Sequence, residues 1–181
     1  LGLSDLHGDG RLHENTGPDH PSGFGFELTF RLVRLPGETT PPTWPANIMQ
    51  QLAKYIFNSG NMLRPGDHVS WHSPLGNGSG RITHLLMAVD PQLPRSLVTP
   101  HGELSFIQIV GITSEELRAA QHWNGLGLVD LLKTTRSCSP WLVTDINRVH
   151  SIMAEDPTVA EKIQTGIERE GSTLSGVTAK C

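Results

Sequence analysis

Two cysteines in 181 residues, Cys138 and Cys181, are too few for a disulfide framework, and a reducing compartment suits the chain best. Basic tracts are also lacking. Lys and Arg total 14 against 18 Asp and Glu, a formal charge of −4, which argues against phosphate-driven nucleic-acid binding as an activity of its own. The longest apolar stretches run about eight residues, well short of a membrane span. A charged n-region followed by an apolar h-region does not open the chain. It begins at Leu1 rather than Met, so its start reads as a fragment boundary. Aromatic residues make up only 6%, with a single tyrosine, Tyr55. Apolar residues reach a modest 36%, while 19 Gly and 13 Pro favour a loop-rich α/β or α+β domain over a bundle. The length suits one domain over 1–181.

What is present alternates between strand and helix patterns. Phe24, Phe26, Leu28, Phe30 and Leu32 recur at every second position, with Gly25, Glu27, Thr29 and Arg31 between them, as in a half-buried strand. Thr43-Trp44-Pro45 reads as a helix start, followed at helical spacing by Ile48, Met49, Leu52 and Ile56. Pro65-Gly66 is a turn from which Asp67–Trp71 leaves in extended form. Leu104–Val110 is apolar enough for a strand buried on both faces. Thr113 and Glu116 have capping-box spacing, Asn124-Gly125 breaks the helix that follows, and Asp156-Pro157 opens the last one. These signals predict strands over 24–33, 82–89, 104–111 and 141–145, and helices over 45–58, 114–122, 126–134 and 157–169. Leu174–Ala179 is a short extended tail. The fold class is α/β: a central mixed sheet with helices packed on it.

Nine histidines invite a metal hypothesis. His68 and His72 are spaced i, i+4, which would face them together on a helix. Gly66, Val69 and Trp71 favour an extended segment instead, where the two would be same-sided but roughly 13 Å apart. Neither His-Glu-x-x-His nor Cys-x-x-Cys occurs, and no bound zinc or other cofactor is expected. A hydrolase would need an activated Ser or Cys on a strained turn. Ser22-Gly23 and Ser175-Gly176 lack the Gly-x-Ser-x-Gly context, and Cys138 lies in an apparent loop. Gly125-Leu126-Gly127 lacks the third glycine of a dinucleotide fingerprint, and there is no Gly-Lys-Ser/Thr loop. Trp44, Trp123 and Trp141 read as core anchors. Tyr55 sits at the margin of the buried face of its helix, where a half-wet tyrosine is favoured. On its own, Asp67 is a turn residue.

One set of motifs has no catalytic reading. It comprises Gly-Leu-Ser-Asp-Leu at 2–6, Ser-Gly-Phe-Gly-Phe-Glu-Leu-Thr-Phe at 22–30, Pro-Pro-Thr-Trp-Pro-Ala at 41–46 and Gly-Asp-His-Val-Ser-Trp-His at 66–72. Gln-Ile-Val-Gly at 108–111, Trp-Asn-Gly at 123–125 and Leu-Ser-Gly-Val-Thr-Ala-Lys-Cys at 174–181 complete it. In this order the motifs resemble the N-terminal domain of the Suppressor of Fused family over essentially the whole chain, with loop differences near 76–80 and 92–98. The resemblance implies a non-catalytic negative regulator of Hedgehog signalling, in cytoplasm and nucleus. It implies two lobes, of which the C-terminal one is absent here. The lobes close on a Ser-Tyr-Gly-His segment of a Gli-type zinc-finger transcription factor, which adds as a strand between their edges. By the same resemblance, Tyr55 and Asp67 contact that segment, Val177 and Ala179 belong to the strand that pairs with it, and a Fused-type kinase is a further partner. The alternatives are a histidine-dependent metal or hydrolase-type enzyme, and a bacterial-type module of the same superfamily with another ligand.

Overall fold

Strand β1 (Pro21–Phe30) buries Phe26 and Leu28 on one side, as the alternation requires, and it opens a mixed sheet. The structure, a computed structural model, describes residues 2–14, 16–76, 80–138 and 140–171. Helix α1 (Trp44–Ser59) starts with Pro45 in its first turn and ends at Gly60, whose φ of 71° suits a left-handed cap. The chain then runs through β2 (His68–Val69), β3 (Ile82–Val89), β4 (Leu97–Thr99) and β5 (Gly102–Thr113). Helices α2 (Ser114–His122), α3 (Gly125–Thr134), α4 (Ile152–Glu155) and α5 (Pro157–Glu170) follow.

The strand order is β1-β5-β3-β2, with β4 also pairing with β5. β1 runs parallel to β5, and the other pairings are antiparallel. Consecutive residues of the central strands point to opposite faces, so two cores form. On one face Phe26, Leu28, Leu85, Met87, Ile107 and Ile109 meet Ile48, Leu52, Ala53 and Ile56 of α1. On the other, Leu86, Ala88, Val110 and Ile112 meet Leu117, Leu128, Leu132, Val159 and Ile163 of α2, α3 and α5. Fully burying one such side chain is worth about 1.5–3 kcal/mol, and both cores hang on β3 and β5.

The expected sheet core and all four expected helices are present. Three expectations need correction. The strand expected over 141–145 does not form: only Thr144 makes a bridge, parallel to Leu32. Leu142 has a φ of 55°, off the strand region, and the Trp141 and Leu142 carbonyls accept the Gln108 amide at 3.0 and 2.8 Å instead of ladder N–H groups. Trp141 is consequently 46% exposed and anchors no core. The extended segment after the Pro-Gly turn ends at Val69, and His72 has a φ of 62°, so strand alternation does not reach it. β4 and α4 went unpredicted. The expected tail at Leu174–Ala179 lies outside the described residues.

Trp123 holds α5 in place. Its ring lies between Gly127 and Gly166, where an added Cβ would come within 2.6 and 2.8 Å of Cζ2. Its Nε1 donates to Glu170 Oε2 at 2.9 Å.

Candidate functional site

Arg64-Pro65-Gly66-Asp67 forms a turn in which Asp67 N–H donates to the Arg64 carbonyl at 3.0 Å. Pro at the second position and Gly66 at φ 92° make it type II, the geometry that needs glycine third. The turn runs into β2 through a bulge. Gly66 N–H donates to the Met87 carbonyl at 2.8 Å, and Met87 N–H donates to the Asp67 carbonyl at 2.8 Å, so two residues oppose one. A left-handed glycine in the first bulge position is the G1 form. The turn therefore has its register fixed on β3, and Asp67 is aimed by three main-chain hydrogen bonds.

Asp67 is half-buried. Its Oδ2 accepts the Arg64 N–H at 2.7 Å, while Oδ1 has no hydrogen-bond partner among the described residues. That leaves one carboxylate oxygen for a donor from outside. Beyond it, His68 pairs with Leu86 and Val69 with Leu85, and β2 ends the sheet order. With the 67/87 position hydrogen-bonded, alternation makes 68/86 a non-bonded pair. The main-chain N–H and C=O of His68 consequently point away from β3, to the side on which no strand pairs among the described residues.

Tyr55 is half-buried at the rim of the α1 core. Its hydroxyl accepts from Asn61 Nδ2 at 3.1 Å, and Ser59 Oγ donates to its carbonyl at 2.7 Å. Tyr55 and Asp67 thus flank one connection, from the end of α1 to the start of β2, and each is tethered to residues within it. Sequence reasoning missed Asn61 as the tether of the hydroxyl, although its place after the Ser59-Gly60 stop was a usable signal. Val177 and Ala179 lie outside the described residues.

The histidines are placed differently from a metal centre. Among the described residues, no group of three or more His, Cys, Asp or Glu is arranged to hold a metal ion. His68 is buried, and burial pushes its pKa below the ordinary 6.5 while the Asp67 charge and the Gly66 carbonyl pull the other way. His84 is also buried and shifted down, by burial and then by His72, whose ring meets it edge-on at 5.9 Å. Its Nε2 lies 3.0 Å from Ser114 Oγ. The Nδ1 atoms of both His68 and His84 are buried without a hydrogen bond.

The nucleophile candidates fare no better. Ser22 is fully buried, with its hydroxyl between the Asp5 N–H and carbonyl, each at 3.0 Å. Cys138 is 2% exposed, and burial pushes its thiol up, away from the reactive thiolate. Ser175 and Cys181 lie outside the described residues.

The sequence and the fold both have counterparts among known proteins. The family described as Suppressor of fused protein (SUFU) matches residues 1–149. The human and mouse Suppressor of fused homologs are each 56% identical over 182 aligned residues, covering 100% of this chain and 37% of theirs. The chain therefore spans little more than a third of the length of these relatives. A crystal structure of Drosophila Suppressor of Fused superposes with a TM-score of 0.87 at 39% identity, over 99% of this chain and 44% of that one. A crystal structure of a Sufu–Fu complex superposes with a TM-score of 0.83, also at 39% identity, over 91% of this chain and 72% of that one.

Proposed function

The chain belongs to the Suppressor of fused family, and on that premise we propose that it is the N-terminal, ligand-binding lobe of a non-catalytic negative regulator of Hedgehog signalling. The protein sequesters a Gli-type zinc-finger transcription factor in the cytoplasm and nucleus. It does so by clamping a Ser-Tyr-Gly-His segment of that factor as an added strand between two lobes.

The observation that carries this reading is the outer side of β2 beginning at Asp67, which is unpaired among the described residues. The outward His68 N–H and C=O can pair with an arriving main chain, and the unbonded Asp67 Oδ1 is at hand for a side-chain donor. Main-chain pairing supplies affinity in such β-augmentation, and side-chain contacts supply selectivity. The histidine of the segment donates to Asp67 in a charge-assisted bond, the stronger class of hydrogen bond. Tyr55 adds contact area at the rim. Val177 and Ala179 belong, on this reading, to the strand that pairs with the segment. A Fused-type kinase is a second partner on this reading, supported by the likeness to the Sufu–Fu complex.

The test is calorimetric titration of a Ser-Tyr-Gly-His peptide into the two-lobed protein. Saturable binding with one peptide per protein is expected, and absence of binding overturns the reading.

A further inference from the structure

Helix α3 begins with a glycine that its own geometry does not require. Gly125 follows the N-cap Asn124, whose side chain already accepts the Gly127 N–H. It does not have the positive φ that demands glycine. The contact that explains Gly125 is tertiary. A Cβ at position 125 would stand 2.9 Å from Gly66 Cα, 2.7 Å from its carbonyl carbon and closer still to its oxygen. The first turn of α3 thus lies directly on the backbone of the turn that carries Asp67. From the other side, a Cβ on Gly66 would meet Leu126 Cγ at 3.0 Å and Leu126 N at 3.3 Å. The two glycines give one backbone-to-backbone seat, closed by Leu126.

We infer that Gly125 is a positioning residue of the ligand site. By having no side chain it lets α3 seat the Gly66 peptide, and this seat sets the direction of the Asp67 carboxylate and of the outward His68 main-chain groups. The inference rests on the reading of Asp67 as the ligand-histidine contact. A side chain at 125 pushes on the carbonyl of Gly66, one residue before Asp67. Because Gly66 N–H and Asp67 C=O are both held by Met87, the displaced turn cannot slide as a unit and rotates between those bonds.

The test uses the two-lobed protein and two peptides, one containing Ser-Tyr-Gly-His and one with its histidine replaced by alanine. The readout is the ratio of their affinities, which a general loss of stability would leave unchanged. Gly125→Ala is expected to lower affinity for the native peptide about tenfold or more beyond any loss for the alanine peptide, which keeps only the main-chain pairing. Gly127→Ala, which presses on Trp123 instead, keeps the wild-type ratio. An unchanged ratio in folded Gly125→Ala overturns the inference, as does an equal loss for both peptides. If Gly125→Ala does not fold, Leu126→Ala decides by the same ratio, because it opens the seat without adding an atom. Asp67→Arg separates the two claims. If it does not collapse the ratio, the reading of the site fails. If it does and the seat variants do not, only the seat fails.

Discussion

Arg148 and Glu116 form an ion pair buried from water, with side-chain exposures of 4% and 0%. Arg148 donates through both terminal nitrogens, the Nη2 bond to Oε2 measuring 2.7 Å. Burial works against the guanidinium charge, but Glu116 outweighs it and raises the pKa of Arg148. The same carboxylate accepts the N–H of Thr113 and of Ile152, each at 2.9 Å. One buried glutamate therefore closes the capping box of α2, starts α4 and fastens the 145–151 connection to the sheet.

Removing one member of such a pair leaves an uncompensated charge inside, a cost of about 3–5 kcal/mol. Arg148→Met is expected to lose stability in that range by urea denaturation. A loss below about 1 kcal/mol, the level of an exposed pair, would show that water reaches the carboxylate.

The two buried histidines make stability depend on pH. His68 and His84 both have pKa values lowered from 6.5 by burial, so the unfolded chain binds protons more readily than the folded one as pH falls through 6.5. The stability they contribute is present above 6.5 and is lost as pH drops towards their lowered folded values. The urea midpoint is expected to fall between pH 7.5 and pH 5.5. That window stays well above Asp90, whose burial is outweighed by bonds from Arg31, Thr29 and two main-chain N–H groups that hold its carboxyl at about 2. In the folded double variant His68→Phe/His84→Phe the slope should flatten. A midpoint unchanged across the window in the wild type would contradict the burial of these rings.

The seat of Trp123 predicts the effect of adding one methyl group. Gly166→Ala gains helix propensity of about 1 kcal/mol. It also puts a Cβ 2.8 Å from Trp123 Cζ2, in a ring that Gly127 blocks from behind and Glu170 holds by its Nε1. Overpacking of this kind costs about 1–3 kcal/mol, and the fixed ring places this case at the upper end. Net destabilisation is expected by thermal denaturation, with loss of Trp123 fluorescence shielding. A stabilised variant would show that the ring can retreat.

What could be read from the sequence follows the range of the forces involved. Helix α2 was readable because Thr113 and Glu116 sit three residues apart, and β5 because residues on both its faces are apolar. The 141–145 segment misled because its carbonyls are satisfied by Gln108, 33 and 34 residues away, a partner that apolar spacing does not reveal. β4 was hidden by its length and by the exposure of Leu97 and Val98. At the site, Pro65-Gly66 announced the turn and Tyr55 its half-wet margin, both local properties. The bulge on Met87 and the seat on Gly125 join segments about 20 and 60 residues apart along the chain, so only the folded arrangement shows them. The break at Asn124-Gly125 was legible, since α2 ends at His122, but not that Gly125 is itself the first residue of α3.

The central claim is that Asp67 receives a donor from the Gli segment, and one substitution tests it most directly. Asp67→Arg in the two-lobed protein places a cation where the ligand histidine arrives and leaves that donor unpaired. Truncating one side of a buried charge-assisted pair costs about 2–5 kcal/mol, roughly 30-fold to several thousandfold in affinity. Calorimetric titration with the Ser-Tyr-Gly-His peptide, with circular dichroism as the folding control, should show binding reduced by at least that lower bound, and a smaller loss for Tyr55→Ala. Wild-type affinity in folded Asp67→Arg would contradict the account.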